Sequence, residues 1–336
     1  MQAAVRDRYG SPDVVEVRDI DMPVPADGQV LVRVHSASVN RGDLDGIEPR
    51  PKFTRLFLGL RAPRNRRVGL DVAGVVEAVG PGVTRFRPGD RVFADLYTFG
   101  QGSFAEYVAA PETAFLPIPD AMSTEDAATL PHAGILAIQG LRLRDGRTVG
   151  PGDRVLVSGA SGNVGPFAVQ IAKSLGADVT GVCSTDKIDF VRSLGADHVI
   201  DYRAVDYAKT GERYDWILDV DSHHSIFGVR RALRPNGVYL TLGGSASRIF
   251  SALLVGPLLG KATGKRLGLV IWWKLFKAED VATLTGLIAA GKVTPVIDRR
   301  YPLKEVVAAL KWVDDGHAAG KVVITMADTD SASPGT

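Results

Sequence analysis

The pattern of hydrophobic and polar positions changes in character at Ser123. Before it, short apolar runs are broken by Gly and Pro, and "QVLVRVHSASV" (Gln29 to Val39) alternates over much of its length. This texture predicts β-structure with turns. From Ser123 onward, "STEDAATLPHAGILAIQGL" has apolar residues at helical spacing. Ser123 or Thr124 is the expected N-cap of that helix.

Strand-like and helix-like runs then alternate through the middle of the chain. Strands are predicted at Val155–Ser158, Val179–Val182, His198–Ile200 and Trp216–Leu218, and helices at Val164–Leu175, Lys187–Leu194 and Ser225–Leu233. "RPNGVYLTLGG" adds a turn and a further strand. "AEDVATLTGLIAAG" predicts a helix that ends before Gly291, and "ADTDSASPGT" a frayed C-terminal tail. The alternation predicts a parallel sheet covered by helices on both faces.

Length and composition limit the class of protein. A chain of 336 residues exceeds the usual size of one hydrophobic core, so two domains are expected. The formal net charge of +2 is too small to indicate a nucleic-acid partner. The single cysteine, Cys183, permits neither an internal disulfide nor a cysteine cluster for structural zinc.

Neither a leader nor a membrane span is predicted. The N-terminus lacks the apolar core of a signal peptide, and the apolar run from Ile249 to Gly260 is too short to cross a bilayer. We therefore expect a soluble, cytoplasmic protein. Association of the Ile249–Gly260 segment with a membrane surface remains an alternative.

A glycine-rich turn stands between the first strand and the first helix of the alternating region. It reads Ala160-Ser161-Gly162-Asn163-Val164-Gly165, one residue away from the G-x-G-x-x-G dinucleotide fingerprint. Gly162 would let the backbone approach a pyrophosphate, and Gly165 would let helix and strand pack closely. The helix start would offer free N–H groups to the phosphates. An ordinary βα turn that binds nothing is the alternative, but the strand–turn–helix–strand context favours a cofactor site at Ser161, Gly162, Asn163 and Val164.

The end of the next strand indicates which cofactor is preferred. A site for NAD usually has Asp or Glu about 20 residues beyond the turn, where it binds the ribose 2′-hydroxyl. Here the strand ends Val182-Cys183-Ser184, and Lys187 follows. A hydroxyl and a cation would accept a 2′-phosphate that a carboxylate would repel. Asp186 competes, since it could cap the next helix or reach the ribose. The pattern favours NADPH, with Cys183, Ser184 and Lys187 beside it.

Several motifs, in the expected order, resemble the medium-chain dehydrogenase/reductase superfamily and specifically its zinc-free quinone oxidoreductase-like branch. They are "SVNRGDLDG", "GLDVAGVVEAVGPGVTRFRPGDRV", "VLVSGASGNVGPFAVQIAK", "SLGADHVIDY" and "AGKVVI". The resemblance implies an α/β protein. A GroES-like, partly β-barrel catalytic domain (residues 1–123 and 266–336) would be split around a Rossmann domain with a doubly wound parallel sheet (residues 124–265). The active site would lie in the cleft.

The resemblance also bears on metal and substrate. Zinc-dependent relatives place a cysteine where this chain has Asn40 and His-Glu where it has Leu70-Asp71, so we expect no zinc. Zinc assists alcohol chemistry because it lowers the pKa of bound water from 15.7 to about 7. Without it, the easier substrates are quinones and α,β-unsaturated carbonyls, which delocalise incoming charge onto an oxygen that donors can stabilise.

The resemblance implies roles for further residues. Asn40 and Asp43 would lie near the nicotinamide, with Asn40 offering an amide donor to cofactor or substrate; their alternatives are an Asx-turn and a cap. Other positions that match the branch's cofactor site, or face it, are Tyr202, Val220, Leu242, Gly243, Gly244 and Lys321. Leu136 and Asp45 depart from the branch's usual residues, which leaves the substrate pocket open.

Two more residues are candidates for catalysis. His132, in "LPHAGI", is a candidate proton donor because its unperturbed pKa of about 6.5 is near neutral; a packed histidine is the alternative. Tyr97, with Phe99, would form an aromatic wall or belong to the core.

The expected function is NADPH-dependent reduction of a small quinone or conjugated carbonyl. The alternatives are metal-free carbonyl or alcohol chemistry and a cofactor-binding scaffold with little turnover. In relatives of the resembled branch, the part that corresponds to the apolar region Ile249–Trp273 supports a two-fold dimer, so the resemblance implies a homodimer. A hydrophobic lid over the substrate is the alternative. The basic segment Pro49–Arg67 is a solvated loop or a docking site for an anionic partner.

Overall fold

The computed structural model of the chain describes residues 1–50, 52–270 and 276–326. The strands, in chain order, are β1 (Gln2–Arg6), β2 (Val15–Asp19), β3 (Gln29–Val39), β4 (Asp71–Val79), β5 (Arg91–Asp95), β6 (Tyr107–Pro111), β7 (Leu116–Pro117), β8 (Arg154–Ser158), β9 (Asp178–Cys183), β10 (His198–Asp201), β11 (Tyr214–Asp219), β12 (Leu233–Thr241), β13 (Arg266–Leu269), β14 (Ile297–Pro302) and β15 (Lys321–Thr325). The helices are α1 (Arg41–Ile47), α2 (Arg55–Leu58), α3 (Thr124–Thr129), α4 (Ile135–Gly140), α5 (Gly165–Ser174), α6 (Ile188–Ser193), α7 (Ile226–Arg231), α8 (Ala246–Phe250), α9 (Gly256–Thr263), α10 (Ala278–Ala289) and α11 (Val306–Asp314). The predicted tail, 327–336, and residues 271–273 of the predicted apolar region lie outside the described residues.

The chain divides into two compact units, Met1–His132 with Ile297–Thr336, and Ala133–Val296. These boundaries lie beyond the 123/124 and 265/266 positions that the resemblance implies. Helix α10 packs within the second unit, where its buried Asp280 accepts hydrogen bonds from Gln139 Nε2 at 2.8 Å and Arg142 Nη2 at 2.6 Å. A carboxylate that is 1 % exposed needs such partners, so α10 is fixed to α4.

The first unit is the GroES-like part of the fold, built on a sheet with strand order β14-β15-β3-β4-β5-β7. The long strand β3 pairs with β4 along one side, and along the other with β6 at its start and β15 at its end, all antiparallel. Its alternation buries Val30, Val32 and Val34 in one cluster with the facing valines of β4 and β5. The prediction of β-structure with turns is confirmed.

The second unit has the Rossmann arrangement. Its sheet is parallel throughout, with strand order β10-β9-β8-β11-β12-β13. The chain leaves β8 in one direction through β9 and β10, and returns to its other side at β11, so the switch point lies between β8 and β11. The predicted strands and helices of this region are all present, with ends displaced by one or two residues. The helix predicted from Lys187 instead begins with a 3₁₀ turn, Thr185–Lys187.

The helix predicted from Ser123 is interrupted. Ser123 is its N-cap and its Oγ accepts a hydrogen bond from the Asp126 N–H at 3.0 Å, as expected. A π turn, Leu130–Gly134, separates α3 from α4. Pro131 lies in this turn and has no N–H to donate, which breaks the regular helical ladder. The His132 N–H donates instead to the Asp71 side chain.

The apolar run from Ile249 forms the end of α8, a π turn and part of α9. Within the ranges given above, none of the helices has the length and hydropathy needed to cross a membrane.

Candidate active site

A cluster of buried polar residues lies in the first unit, and strand register assembles it. Ser38 on β3 pairs with Asp71 at the start of β4, and Asp71 in turn pairs with Asp95 at the end of β5. On the other side of β3, Val39 pairs with Val322, next to Lys321 at the start of β15. The members of the cluster are Ser38, Asn40, Asp43, Asp71, Asp95, His132 and Lys321.

Asp71 is the centre of this cluster and is fully buried. Its Oδ2 accepts hydrogen bonds from Ser38 Oγ at 2.9 Å and Asn40 Nδ2 at 2.8 Å, and its Oδ1 accepts from the His132 N–H at 3.1 Å. Lys321 Nζ lies 3.5 Å from Oδ2. Burial raises the pKa of Asp71, and the Lys321 charge opposes that shift.

Asn40 is held on both sides of its amide. Nδ2 donates to Asp71 and, at 3.3 Å, to the Ser38 carbonyl, while Oδ1 accepts from Lys321 Nζ at 2.5 Å. The side chain is 1 % exposed. The amide donor that the resemblance implies is thus engaged inside the unit, where it holds the cluster together.

Asp43 is part of the N-terminal cap of α1. The sequence left this cap open as the alternative to a role at the nicotinamide. Its Oδ2 accepts the backbone N–H of Asn40 at 2.7 Å. Its Oδ1 is buried and has no hydrogen-bond partner among the described residues. Burial raises the pKa of Asp43 to about 8, so the carboxyl group is protonated at neutral pH.

His132 and Asp95 form a pair that can hold a proton. His132 Nδ1 lies 2.9 Å from Asp95 Oδ2, and Asp95 Oδ1 accepts the Tyr97 N–H at 2.8 Å. Burial acts to lower the pKa of His132, but the Asp95 carboxylate outweighs it and the pKa is raised. An imidazole oriented by a carboxylate is a common general acid or base.

Tyr97 stands beside this pair. Its ring centroid is 6.3 Å from that of His132. Tyr97 is 41 % exposed and Phe99 is 36 % exposed, so neither belongs to the core. Their exposure agrees with the aromatic wall.

The cluster also contains potential metal ligands, since Asp71, Asp95 and His132 offer ligand atoms that all lie within 4.8 Å of one another. A divalent metal needs deprotonated ligands with free lone pairs. Asp71 Oδ2 already accepts from Ser38 and Asn40 and faces the Lys321 ammonium. His132 Nδ1 and Asp95 Oδ2 face each other across 2.9 Å, which requires a proton between them. These residues, as arranged, do not fit zinc.

In the second unit, the glycine turn leaves room for a ligand. A Cβ on Gly165 would lie 2.2 Å from the Gly159 carbonyl oxygen and 2.4 Å from the Ala160 carbonyl carbon, so only glycine fits there. A Cβ on Gly162 would meet only the Gly159 oxygen at 3.7 Å, so the protein does not fill the space beside it. Helix α5 begins directly after the turn, which also contains Ser161, Asn163 and Val164. This arrangement fits a pyrophosphate.

The carboxyl ends of β9 and β10 lie side by side, with Asp201 opposite Cys183. Cys183 is buried, and burial raises the pKa of its thiol to about 11, so the thiol stays protonated. Ser184 and Lys187 follow it and are 8 % and 9 % exposed. Arg203, which the sequence motifs do not indicate, also lies at this end of the sheet, and its Nη1 is 3.2 Å from Asp186 Oδ1. Only the pairing of β10 with β9 indicates that Arg203 lies near Asp186, and the residues that follow β9 in sequence do not reveal that pairing.

The other predicted cofactor residues separate into two groups. Val220 follows β11 and Leu242, Gly243 and Gly244 follow β12, so they lie at the carboxyl ends of parallel strands, where Rossmann folds bind ligands. The exposed Tyr202 follows β10, and its N–H donates to the Cys183 carbonyl at 3.1 Å. Asn40 and Lys321, by contrast, belong to the buried cluster of the first unit.

Comparisons with known proteins agree with this architecture. Residues 26–120 match the family model "Alcohol dehydrogenase GroES-like domain", and residues 194–324 match "Zinc-binding dehydrogenase". A chloroplastic quinone-oxidoreductase, QR1, of Triphysaria versicolor is 32 % identical, covering 96 % of this chain and 98 % of the relative. The mitochondrial NAD(P)H oxidoreductase RTN4IP1 of Bos taurus is 33 % identical, covering 97 % of this chain and 89 % of the relative. The solved structure of a quinone oxidoreductase from Coxiella burnetii superimposes with a TM-score of 0.84 at 27 % identity, covering 97 % of this chain and 99 % of the other.

Proposed function

Because the chain belongs to the quinone oxidoreductase-like branch of the medium-chain dehydrogenase/reductase superfamily, we propose that it reduces a quinone or an α,β-unsaturated carbonyl, with NADPH as the reductant and without zinc. An oxidoreductase with a nicotinamide cofactor is supported by the names of these relatives. The observation that carries the finer proposal is the His132–Asp95 pair beside the exposed Tyr97. It supplies a proton donor in a cluster whose carboxylates are not available to a metal.

The preference for NADPH rests on the charges at the end of β9. Lys187 and Arg203 are two cations near that end, and Asp186, which could bind a ribose hydroxyl, is paired with Arg203 at 3.2 Å. A 2′-phosphate would gain from both cations and would compete with Asp186 for Arg203.

Lys187→Ala is therefore expected to weaken NADPH binding more than tenfold and NADH binding little. The control is Lys173→Ala, in the last turn of α5, whose ammonium is held by Asp197 at 2.7 Å. Equal losses for NADPH and NADH in Lys187→Ala would remove the assignment of the 2′-phosphate.

The chain's own residues provide binding, orientation and a proton. The turn at Gly162 and the start of α5 would hold the pyrophosphate of NADPH, which when bound supplies the hydride. His132, oriented by Asp95, would donate a proton to the oxygen of the reduced acceptor. A quinone or enone suits this site because its developing negative charge lies on oxygen, where a donor can neutralise it.

A substrate panel tests the proposal. Quinones, enones and simple aldehydes are offered with NADPH and with NADH, and oxidation of the cofactor is followed optically. Turnover of quinones or enones in preference to aldehydes is expected. Preference for aldehydes or alcohols would favour metal-free carbonyl chemistry. Tight NADPH binding with turnover of none of these substrates would favour a cofactor-binding scaffold.

A homodimer and a cytoplasmic location are part of the same proposal. Phe250, Leu254 and Leu258 are exposed near β13, an edge strand of the second unit's sheet, and would be covered in a dimer. Sedimentation equilibrium and cell fractionation test the two statements. The two relatives above are named as chloroplastic and mitochondrial proteins, so fractionation must include organelles.

A further inference from the structure

We propose that the ammonium group of Lys321 is the resident cation of the buried cluster and that it keeps divalent metal ions out of it. Lys321 Nζ lies 2.5 Å from Asn40 Oδ1, 3.4 Å from the Val39 carbonyl oxygen and 3.5 Å from Asp71 Oδ2. The side chain is 0 % exposed. A lysine this deeply buried is rare unless it is paired, so its placement needs an explanation.

Burial lowers the pKa of Lys321 against the opposing Asp71 carboxylate, but the three contacts are those that an ammonium makes. All three neighbours are oxygen acceptors, and an ammonium has three donors and no acceptor. The Asn40 amide is oriented the same way, since its Nδ2 donates to Asp71 and its Oδ1 faces the lysine. A neutral amine would leave one of these oxygens without a donor.

The lysine binds at the place where a metal would bind. Asp71 is both its carboxylate partner and one of the three potential metal ligands, with Asp95 and His132. A divalent ion at these ligands would lie close to a fixed positive charge in a dry environment, which disfavours it strongly.

Removal of the ammonium should therefore create a metal site. In Lys321→Ala, Asp71 Oδ2 and Asn40 Oδ1 lose a donor and face an empty volume the size of the lysine side chain. Asp71 Oδ1 accepts the His132 N–H and keeps a second lone pair for a metal. A divalent ion would displace the proton that His132 and Asp95 share, so that these two residues and Asp71 could then coordinate it, with water completing the shell. Carboxylate and imidazole ligands suit Zn²⁺ and Co²⁺.

The experiment is a titration with Co²⁺, whose visible absorption reports coordination independently of enzyme activity, followed by metal analysis after dialysis. Wild-type protein is expected to retain no stoichiometric cobalt. Lys321→Ala is expected to retain one ion per chain, with affinity higher by on the order of 100-fold. The double variant Lys321→Ala/Asp71→Asn should lose this gain.

The matched control is Lys265→Ala. Lys265 is partly buried, and among the described residues its Nζ is held by the carbonyl oxygens of Arg230 and Leu233, at 2.7 Å each, with no carboxylate. Its removal should create no cobalt site.

Three outcomes would overturn the proposal. One is stoichiometric metal in the wild-type protein that Asp71→Asn abolishes. Another is a folded Lys321→Ala protein that binds cobalt no better than wild type. The third applies if Lys321→Ala is poorly folded. Lys321→Gln is then titrated as well, and cobalt is expected to raise the Tm of both variants but not the Tm of wild type. Absence of that rise in both variants counts against the resident cation.

Discussion

Replacement of Asp43 by asparagine should change the pH dependence of stability in a predictable direction. Asp43 is 3 % exposed, and its Oδ2 accepts the Asn40 N–H at 2.7 Å. Its Oδ1 has no hydrogen-bond partner in the described part of the chain. Asparagine can accept the same N–H through its own oxygen and carries no charge. Asp43→Asn therefore imitates the protonated carboxyl group that the structure favours.

The size of the effect follows from the pKa. In the folded protein the pKa of Asp43 is about 8, because burial disfavours the carboxylate. In the unfolded chain it is about 3.9. Between these values the folded state holds a proton that the unfolded state has released, so stability falls as pH rises, by about 1.4 kcal/mol per pH unit. From pH 5.5 to pH 7.5 this one group lowers the free energy of unfolding by about 3 kcal/mol.

The assay compares the unfolding of wild type and Asp43→Asn by urea at pH 5.5, 6.5 and 7.5. The variant lacks the titrating group, so its advantage over wild type should grow by about 3 kcal/mol across this range. The control is Asp126→Asn, at the equivalent N3 position of α3, where the carboxylate is partly solvated and accepts from Ser123 Oγ at 2.8 Å. If the wild-type and Asp43→Asn profiles run parallel, Asp43 is ionised in the folded protein and the reasoning is refuted.

The other predictions concern the cofactor turn, the proton donor and α10. Gly165→Ala should unfold the turn and abolish NADPH binding, because its Cβ would lie 2.2 Å from a carbonyl oxygen. Gly162→Ala should keep the wild-type Tm and only weaken NADPH binding. Isothermal titration measures the binding of each variant, and thermal melts measure its Tm. Asp95→Asn should lower the pKa of His132, so that quinone reduction declines at a lower pH than in wild type; an unchanged pH–rate profile would exclude His132 as the proton donor. Asp280→Ala should lower the free energy of unfolding by about 3 kcal/mol, since the hydrogen bonds from Gln139 and from the charged Arg142 are both lost; urea unfolding measures the change.

The Rossmann unit could be predicted from the sequence because its signals are local. Each buried parallel strand is a short apolar run, and each helix follows at its own period within a few residues. The glycine turn was found for the same reason, since Gly162 and Gly165 act within one strand–helix connection. The π turn that separates α3 from α4 was not predicted, although its local cause, Pro131, is visible in the sequence. The packing of α10 within the second unit depends on the contact of Asp280 with Gln139 and Arg142, which are remote in sequence.

The buried cluster could not be derived in the same way, because it depends on strand register. The pairing of β3 with β4 shifts between Leu31 and Val32, and shifts back between Val34 and Ser36. The second shift restores the original register, and so places Ser38 opposite Asp71. Without it Asp71 would pair with Ala37, and a slip of one residue turns a side chain to the other face of the sheet. The sequence contains Asp71, Lys321 and Asn40, but two register shifts in the pairing of β3 with β4 determine whether their side chains come into contact. The cation that this cluster holds is therefore a property of register, and a change that removes either irregularity should disperse the cluster even if every one of its residues is kept.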